Sequence, residues 1–168
     1  MTKDLNGKTV IVTGAGKGIG RATCLMLSGL GANVVAISRT ASDLESLKSE
    51  TGCKTHTFDI ANSAELRNVV RGVTSADGLV NCAGINILEP FLEVTEEAFD
   101  LIYAINTKAA MVAAQEFSRT LIAANRGGAI VNVSSMSSFV GFTDHTSYCA
   151  SKGAMDAMSR VMANELGQ

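Results

Sequence analysis

Tyr148 and Lys152 stand four residues apart in the segment YCASK, within a stretch of helical periodicity, so the phenol and the ammonium share one helix face. A neighbouring positive charge favours phenolate and makes a phenol a useful acid near neutral pH, suited to protonating an alkoxide as it forms. Thirteen positions before Tyr148, Ser134 and Ser135 follow the apolar run AIVNV at the end of a predicted strand. Ser135 is placed to hydrogen-bond a substrate carbonyl and polarise it. Taken alone, a Tyr and a Lys at this spacing are more often an ordinary helix face. What gives the pair meaning is a second motif near the start of the chain.

That motif is TGAGKGIG, residues 13–20, between a predicted strand and a predicted helix. Gly14 permits a tight turn, while Gly18 and Gly20, on either side of Ile19, let backbone and helix approach a ligand closely. The helix N-terminus offers unpaired N–H groups to a pyrophosphate. A glycine-rich octapeptide is weak evidence by itself, but this one has the strand-turn-helix context of a dinucleotide site. No Gly-Lys-Ser or Gly-Lys-Thr follows to supply a phosphate lysine and a magnesium hydroxyl, so the turn suits a nicotinamide cofactor rather than ATP.

The choice between nicotinamide cofactors falls at the end of the second strand, where an Asp or Glu would accept the ribose hydroxyls of NAD and repel a 2′-phosphate. The chain reads Ile37, Ser38, Arg39, Thr40 there. The missing acid and the Arg39 guanidinium, which can grip a phosphate through two hydrogen bonds, favour NADP(H). Lys17, inside the glycine turn, is expected to add a second positive charge to the same pocket. Both cations would otherwise be ordinary solvated surface charges.

The elements that must position these groups alternate along the chain. Short β-branched runs over 9–12, 34–37, 55–58, 79–80 and 129–133 separate helical stretches over 18–29, 41–50, 63–71, 96–124 and 147–166. Asn62, with Glu65 three residues later, and Thr95, with acids behind it, have the composition of helix N-caps. Strands joined by helices of this length run parallel, because a right-handed crossover returns each helix to a face of the sheet. The expected fold is α/β, a doubly wound parallel sheet of Rossmann type.

The 168 residues are 46% hydrophobic and 18% charged, with a formal net charge of −2, a composition that suits one globular domain. Lys and Arg are scattered, so nothing points to nucleic acid. No apolar run approaches the roughly 20 residues of a membrane span. The opening MTKDLNGKTV lacks the apolar core of a secretion signal, which makes a cytoplasmic location the expectation. Cys24, Cys53, Cys82 and Cys149 are far apart and without histidines at ligand spacing, so reduced thiols and no metal site are expected.

TGAGKGIG, NCAG (81–84), Asn106, Ser135 and the Tyr148/Lys152 pair together resemble the short-chain dehydrogenase/reductase pattern in its compact branch, over essentially the whole chain. PFLEVTEEAFD, IVNVSSM and SKGAMDAMSRVMANELG are similar, more narrowly, to the dicarbonyl/L-xylulose reductase and tetrameric carbonyl reductase group. The resemblance implies NADPH-dependent reduction of α-dicarbonyls and ketoses by a tetrad of Asn106, Ser135, Tyr148 and Lys152. In it Asn106 holds a water that relays protons to Lys152, which also bonds the nicotinamide ribose. Asp59 would contact the adenine, and Asn81, Ala83 and Gly84 would border the cofactor. Cys82 replaces the second Asn of the usual NNAG and reads as a packing substitution.

Asn86, Ile87, Met136, Phe142 and Thr143 are placed to line the substrate mouth, mixing apolar and polar groups. His145, just before the helix, is either a substrate hydrogen-bonding group or a plain loop histidine. Met155, Met158 and Met162 fall at helical spacing and read as a packing stripe. In the resembled group the face of this last helix pairs with another subunit, which implies a homo-oligomer, a tetramer. Members of the family continue for several tens of residues past this helix, with two further strands and a loop over the substrate. The expectation is therefore one dinucleotide-binding and catalytic domain over 1–168, lacking C-terminal strands. The alternative is a catalytically silent, truncated cofactor-binding or oligomerisation module.

Overall fold

The computed structural model describes residues 5–167. The first four residues of the secretion-signal reading, and the chain end at Gln168, lie outside them. Five strands, β1 (Thr9–Thr13), β2 (Asn33–Ser38), β3 (Lys54–Thr57), β4 (Ala76–Asn81) and β5 (Ala129–Asn132), form one sheet in the order β3-β2-β1-β4-β5. Every pairing is parallel. The order reverses beside β1, as the doubly wound plan requires.

The five residues of β1, TVIVT, are all buried because helices cover both faces of the central strand. Alternate side chains go to opposite cores. Val10 and Val12 pack with Cys24 and Leu27 of α1 (Gly18–Gly29) and with Leu44 and Leu47 of α2 (Ala41–Thr51). Ile11 faces the other way, onto Leu66 and Val70 of α3 (Ser63–Gly72) and Val112 and Phe117 of α5 (Ala109–Ala123). Each such aliphatic side chain contributes about 1.5–3 kcal/mol by leaving water. Met155 of α6 (Thr146–Leu166) is buried, and Met162 packs against the second core. The methionine stripe is thus a packing feature at those two positions.

Asn62 caps α3 by accepting from the Glu65 N–H at 3.2 Å, while its amide donates back to the Glu65 carboxylate at 3.3 Å. Thr95 caps α4 (Glu96–Tyr103) by accepting from the Ala98 N–H. The helical stretch over 96–124 runs unbroken from Glu96 to Ala123, but it is not α-helix throughout: between α4 and α5, Ala104–Lys108 winds as a π-helix. An inserted residue in a helical turn changes which side chains face the sheet, and Asn106 sits in the middle of it.

Between α3 and α5, Glu116 is 2% exposed and receives Arg67 at 2.8 Å, Arg71 at 3.0 Å and Arg119 at 2.7 Å. Burial alone would push this carboxyl up, but hydrogen bonds from Arg71 and Arg67 and the charges behind them hold it below its ordinary value. A depressed carboxyl stabilises the fold above its unfolded-state value, and that contribution is lost as pH falls through the folded one. Glu116→Gln should therefore lower stability at neutral pH and flatten the acid side of a denaturation-versus-pH curve.

Candidate active site

The parallel register brings the C-terminal strand ends to one edge. Thr13 lies beside Ile37 and Asn81, Ser38 beside Thr57, and Asn81 beside Asn132. At this edge Gly14 has φ +67°, a left-handed conformation that costs glycine little, and a Cβ there would stand 2.7 Å from the Ala83 Cα. A side chain at Gly20 would overlap the Gly14 carbonyl oxygen. The turn is therefore pressed between the start of α1 and the chain after β4. Thr13 fixes the second contact: its hydroxyl accepts from the Cys82 and Ala83 N–H groups at 3.1 and 3.2 Å. Thr13→Val keeps the shape and orphans both donors, so a loss of about 1–3 kcal/mol in denaturant unfolding is expected.

A pocket opens beside the turn, lined by Gly14, Ile37, Ser38, Arg39, Phe58, Asp59, Ile60, Ala83, Gly84, Ile85 and Ile105. It gathers the predicted Gly14, Ser38, Arg39, Asp59, Ala83 and Gly84 and adds apolar walls that the motif reading did not name. Phe58 and Ile60, flanking Asp59, were legible as an apolar strand end. Arg39 is exposed and makes no ion pair among the described residues. Asp59 Oδ1 accepts from the Ala61 N–H at 2.9 Å. Gly18 opens α1, with Ile19 65% exposed above the turn. Thr40 precedes α2 without capping it through its side chain. Lys17 is exposed and lies 3.4 Å from Asp43 Oδ2.

A glycine cradle whose Cβ positions would collide with backbone, an apolar slot, and an exposed guanidinium at its rim fit an adenine dinucleotide with a phosphorylated ribose. Among the described residues no group of His, Cys, Asp or Glu is arranged to hold a metal ion.

Along the same edge lie the candidate reacting groups. Lys152 is 4% exposed; its ammonium donates to the Val133 carbonyl at 2.8 Å and lies 5.7 Å from the Tyr148 ring centre. Burial pushes this amine below the ordinary lysine value, with the Asp156 carboxylate opposing. Ser135 is half-buried just beyond β5, and its hydroxyl accepts from the Ser137 N–H at 3.1 Å.

Asn106 is fully buried. Its Oδ1 accepts from the Ile85 N–H at 2.8 Å, while Nδ2 donates to the Ile85 carbonyl at 2.9 Å and to Ser151 Oγ at 3.1 Å. The side chain is engaged as a clasp. It ties the chain after β4 to α6, and the Asn106 Oδ1 and Lys152 ammonium would stand 3.4 and 3.7 Å from a Cβ at Gly84. Ser151, overlooked inside YCASK, completes the clasp by donating to the Tyr148 carbonyl at 2.8 Å. Asn81 is buried and steadies the strands, donating to the Ala110 carbonyl and to Asn132 Oδ1.

At the mouth, His145 Nδ1–H donates to the Thr143 carbonyl at 2.6 Å, and its ring meets Tyr148 edge-on at 6.3 Å and Phe142 at 5.8 Å. The Glu89 N–H, donating to the Asp144 carbonyl at 3.1 Å, ties this loop to the segment after β4. Asn86 and Met136 are exposed nearby in the chain but make no side-chain hydrogen bond among the described residues. The four cysteines are free, and burial pushes the Cys82 thiol up.

The sheet order, the glycine turn at the head of α1 and the pocket at the strand ends define a dinucleotide-binding α/β protein of Rossmann type. The chain belongs to the short chain dehydrogenase family, which it matches over residues 8–168. It is 46% identical over 168 residues to an L-xylulose reductase of Mesocricetus auratus, covering 99% of this chain and 69% of that protein. It is 39% identical over 168 residues to the carbonyl reductase (NADPH) 2 of Sus scrofa, with the same two coverages, 99% and 69%. The crystal structure of a metagenomic short-chain oxidoreductase in complex with NADP superimposes with a TM-score of 0.93 at 31% identity, covering 99% of this chain and 79% of that one. No helix among the described residues is long and apolar enough to cross a membrane.

Proposed function

We propose that the protein is an NADPH-dependent carbonyl reductase whose substrates are α-dicarbonyls and small ketoses such as L-xylulose. One domain, 1–168, carries both the cofactor site and the reacting groups. The observation that carries the reading is the meeting, at one sheet edge, of the buried Lys152 ammonium, the Tyr148 phenol and a glycine-turn pocket rimmed by the exposed Arg39. The reductase names of the relatives above support the substrate class.

When bound, the cofactor supplies a hydride to the carbonyl carbon. Gly14, Gly18 and Gly20 give its pyrophosphate close backbone approach at the head of α1, with Ile19 packing above. Ser38, Arg39, Thr40 and Lys17 surround the phosphorylated ribose, Asp59 borders the adenine, and Asn81, Ala83 and Gly84 form the floor. Ser135 donates to the substrate oxygen, and Tyr148 delivers the proton that makes it a hydroxyl. Lys152 favours the resulting phenolate by its charge and binds the nicotinamide ribose. Asn106 acts by holding the Ile85 backbone and α6 in register, which fixes where Lys152 sits. Asn86, Met136, Thr143 and His145 contact the rest of the substrate, with His145 Nε2 free to bond a hydroxyl.

A homotetramer in the cytoplasm belongs to the same proposal. Mixing the protein with NADPH and diacetyl, then with NADH and diacetyl, and following nicotinamide absorbance tests it. Consumption that favours NADPH is expected, and equal use of both cofactors or none would overturn the reading.

A further inference from the structure

The glycine turn and the first turn of α2 bring a carboxylate into the corner where a phosphorylated ribose would lie. A Cβ built at Gly16 would stand 2.7 Å from Ser38 Oγ and 3.3 Å from Asp43 Oδ2, so both oxygens converge on one point above the turn. The same Asp43 oxygen is 3.4 Å from the Lys17 ammonium. Asp43 is held in place from behind: Arg21 of α1 donates to the Asp43 backbone carbonyl at 3.2 Å and bonds Ser46 and Glu50 further along α2. Its side chain is 21% exposed, whereas Lys17 is 77% exposed. The acid is thus the more buried member of the pair, with its backbone anchored, and the lysine the exposed one.

The electrostatic consequence follows from the signs. A 2′-phosphate entering beside Ser38 meets Arg39, which has no competing partner among the described residues. It also meets Lys17, which already has one. It lies against the start of α2, where the helix dipole favours an anion and Asp43 already supplies one. We propose that Asp43 is a specificity-determining residue. Its carboxylate competes with the ribose 2′-phosphate for Lys17 and for the N-terminus of α2, moderating the preference for phosphorylated cofactor that Arg39 creates. This rests on the NADPH reading above.

The test is calorimetric binding of 2′,5′-ADP and of 5′-AMP to the wild-type protein, Asp43→Asn, Lys17→Gln and the double variant. Asn keeps the shape of Asp and leaves the backbone carbonyl bonded by Arg21 untouched. Asp43→Asn should tighten 2′,5′-ADP by about three- to fivefold, the scale of one exposed ion pair, and leave 5′-AMP unchanged. The gain should shrink in high salt. Lys17→Gln should cost more affinity for 2′,5′-ADP in the Asp43→Asn background than in the wild type. Unchanged or weaker 2′,5′-ADP binding by Asp43→Asn would overturn the proposal, as would an equal gain for 5′-AMP or the absence of coupling to Lys17. Wild-type protein that binds the two nucleotides equally would count against the NADPH reading. A gain confined to 2′,5′-ADP in Asp43→Asn would still support the role of Asp43.

Discussion

Tyr148→Phe should lower carbonyl reduction by about 10²–10⁴-fold, the range that a positioned general acid supplies, while cofactor affinity changes little. The variant removes one hydroxyl and keeps the ring, so the edge contact with His145 at 6.3 Å and the ring's place 5.7 Å from the Lys152 ammonium persist. The loss should appear in kcat rather than KM, because the proton is transferred only as charge develops on the substrate oxygen. A variant that kept full turnover would remove Tyr148 from the chemistry and leave Ser135 or a water as donor. Stopped-flow measurement of cofactor oxidation in a single turnover distinguishes the two.

Lys152→Met should have the second large effect, a loss of about 10²-fold or more in turnover, since removing the charge raises the cost of forming phenolate at Tyr148. Its stability should also depend on pH differently from that of the wild type. The ammonium is almost wholly buried, and burial places its folded-state value below the ordinary 10.5. Between the lowered folded value and 10.5 the unfolded chain binds more protons than the folded one, so the wild-type protein gains stability as pH rises through that window. The methionine variant has no such group and should lack that rise. At neutral pH it relinquishes the 2.8 Å bond to the Val133 carbonyl but no longer buries a charge, so its unfolding midpoint should fall less than a broken buried ion pair would suggest. Denaturant curves from neutral pH upward for the two proteins give the comparison.

Features set by local backbone rules were legible in the residue order. The glycine turn could be read because close approach at Gly14 and Gly20 admits no side chain, and that constraint selects one residue type whatever the tertiary context. The caps at Asn62 and Thr95 were readable for the same reason, and α1 falls on 18–29 as its periodicity indicates. The π-helix at Ala104–Lys108 was not, because one extra residue in a turn leaves the apolar spacing of a long helix almost intact. Its consequence, the Asn106 clasp on Ile85 and Ser151, depends on three segments distant in the chain.

Charge partners were the least legible. Lys17 reads as a cation beside the glycine turn, and Asp43 comes beside it only when α2 folds back. Thr13 reads as the first letter of a motif until β4 pairs with β1 and sets Cys82 and Ala83 against its hydroxyl. In both cases the residue type was visible in the chain, while its partner is supplied by a segment distant in sequence, α2 for Lys17 and the end of β4 for Thr13.

In the proposed reaction hydride passes to a carbonyl carbon and the proton is drawn from this chain. Its most direct test is to incubate the protein with diacetyl and NADPH deuterated at both C4 positions, and to examine the product by mass spectrometry and NMR. The expected product is 3-hydroxy-2-butanone carrying one deuterium on the carbinol carbon, formed by wild-type protein and suppressed in Tyr148→Phe. NADPH that binds and is recovered with all its deuterium, beside unchanged diacetyl, would contradict it and identify the chain as a silent cofactor-binding module.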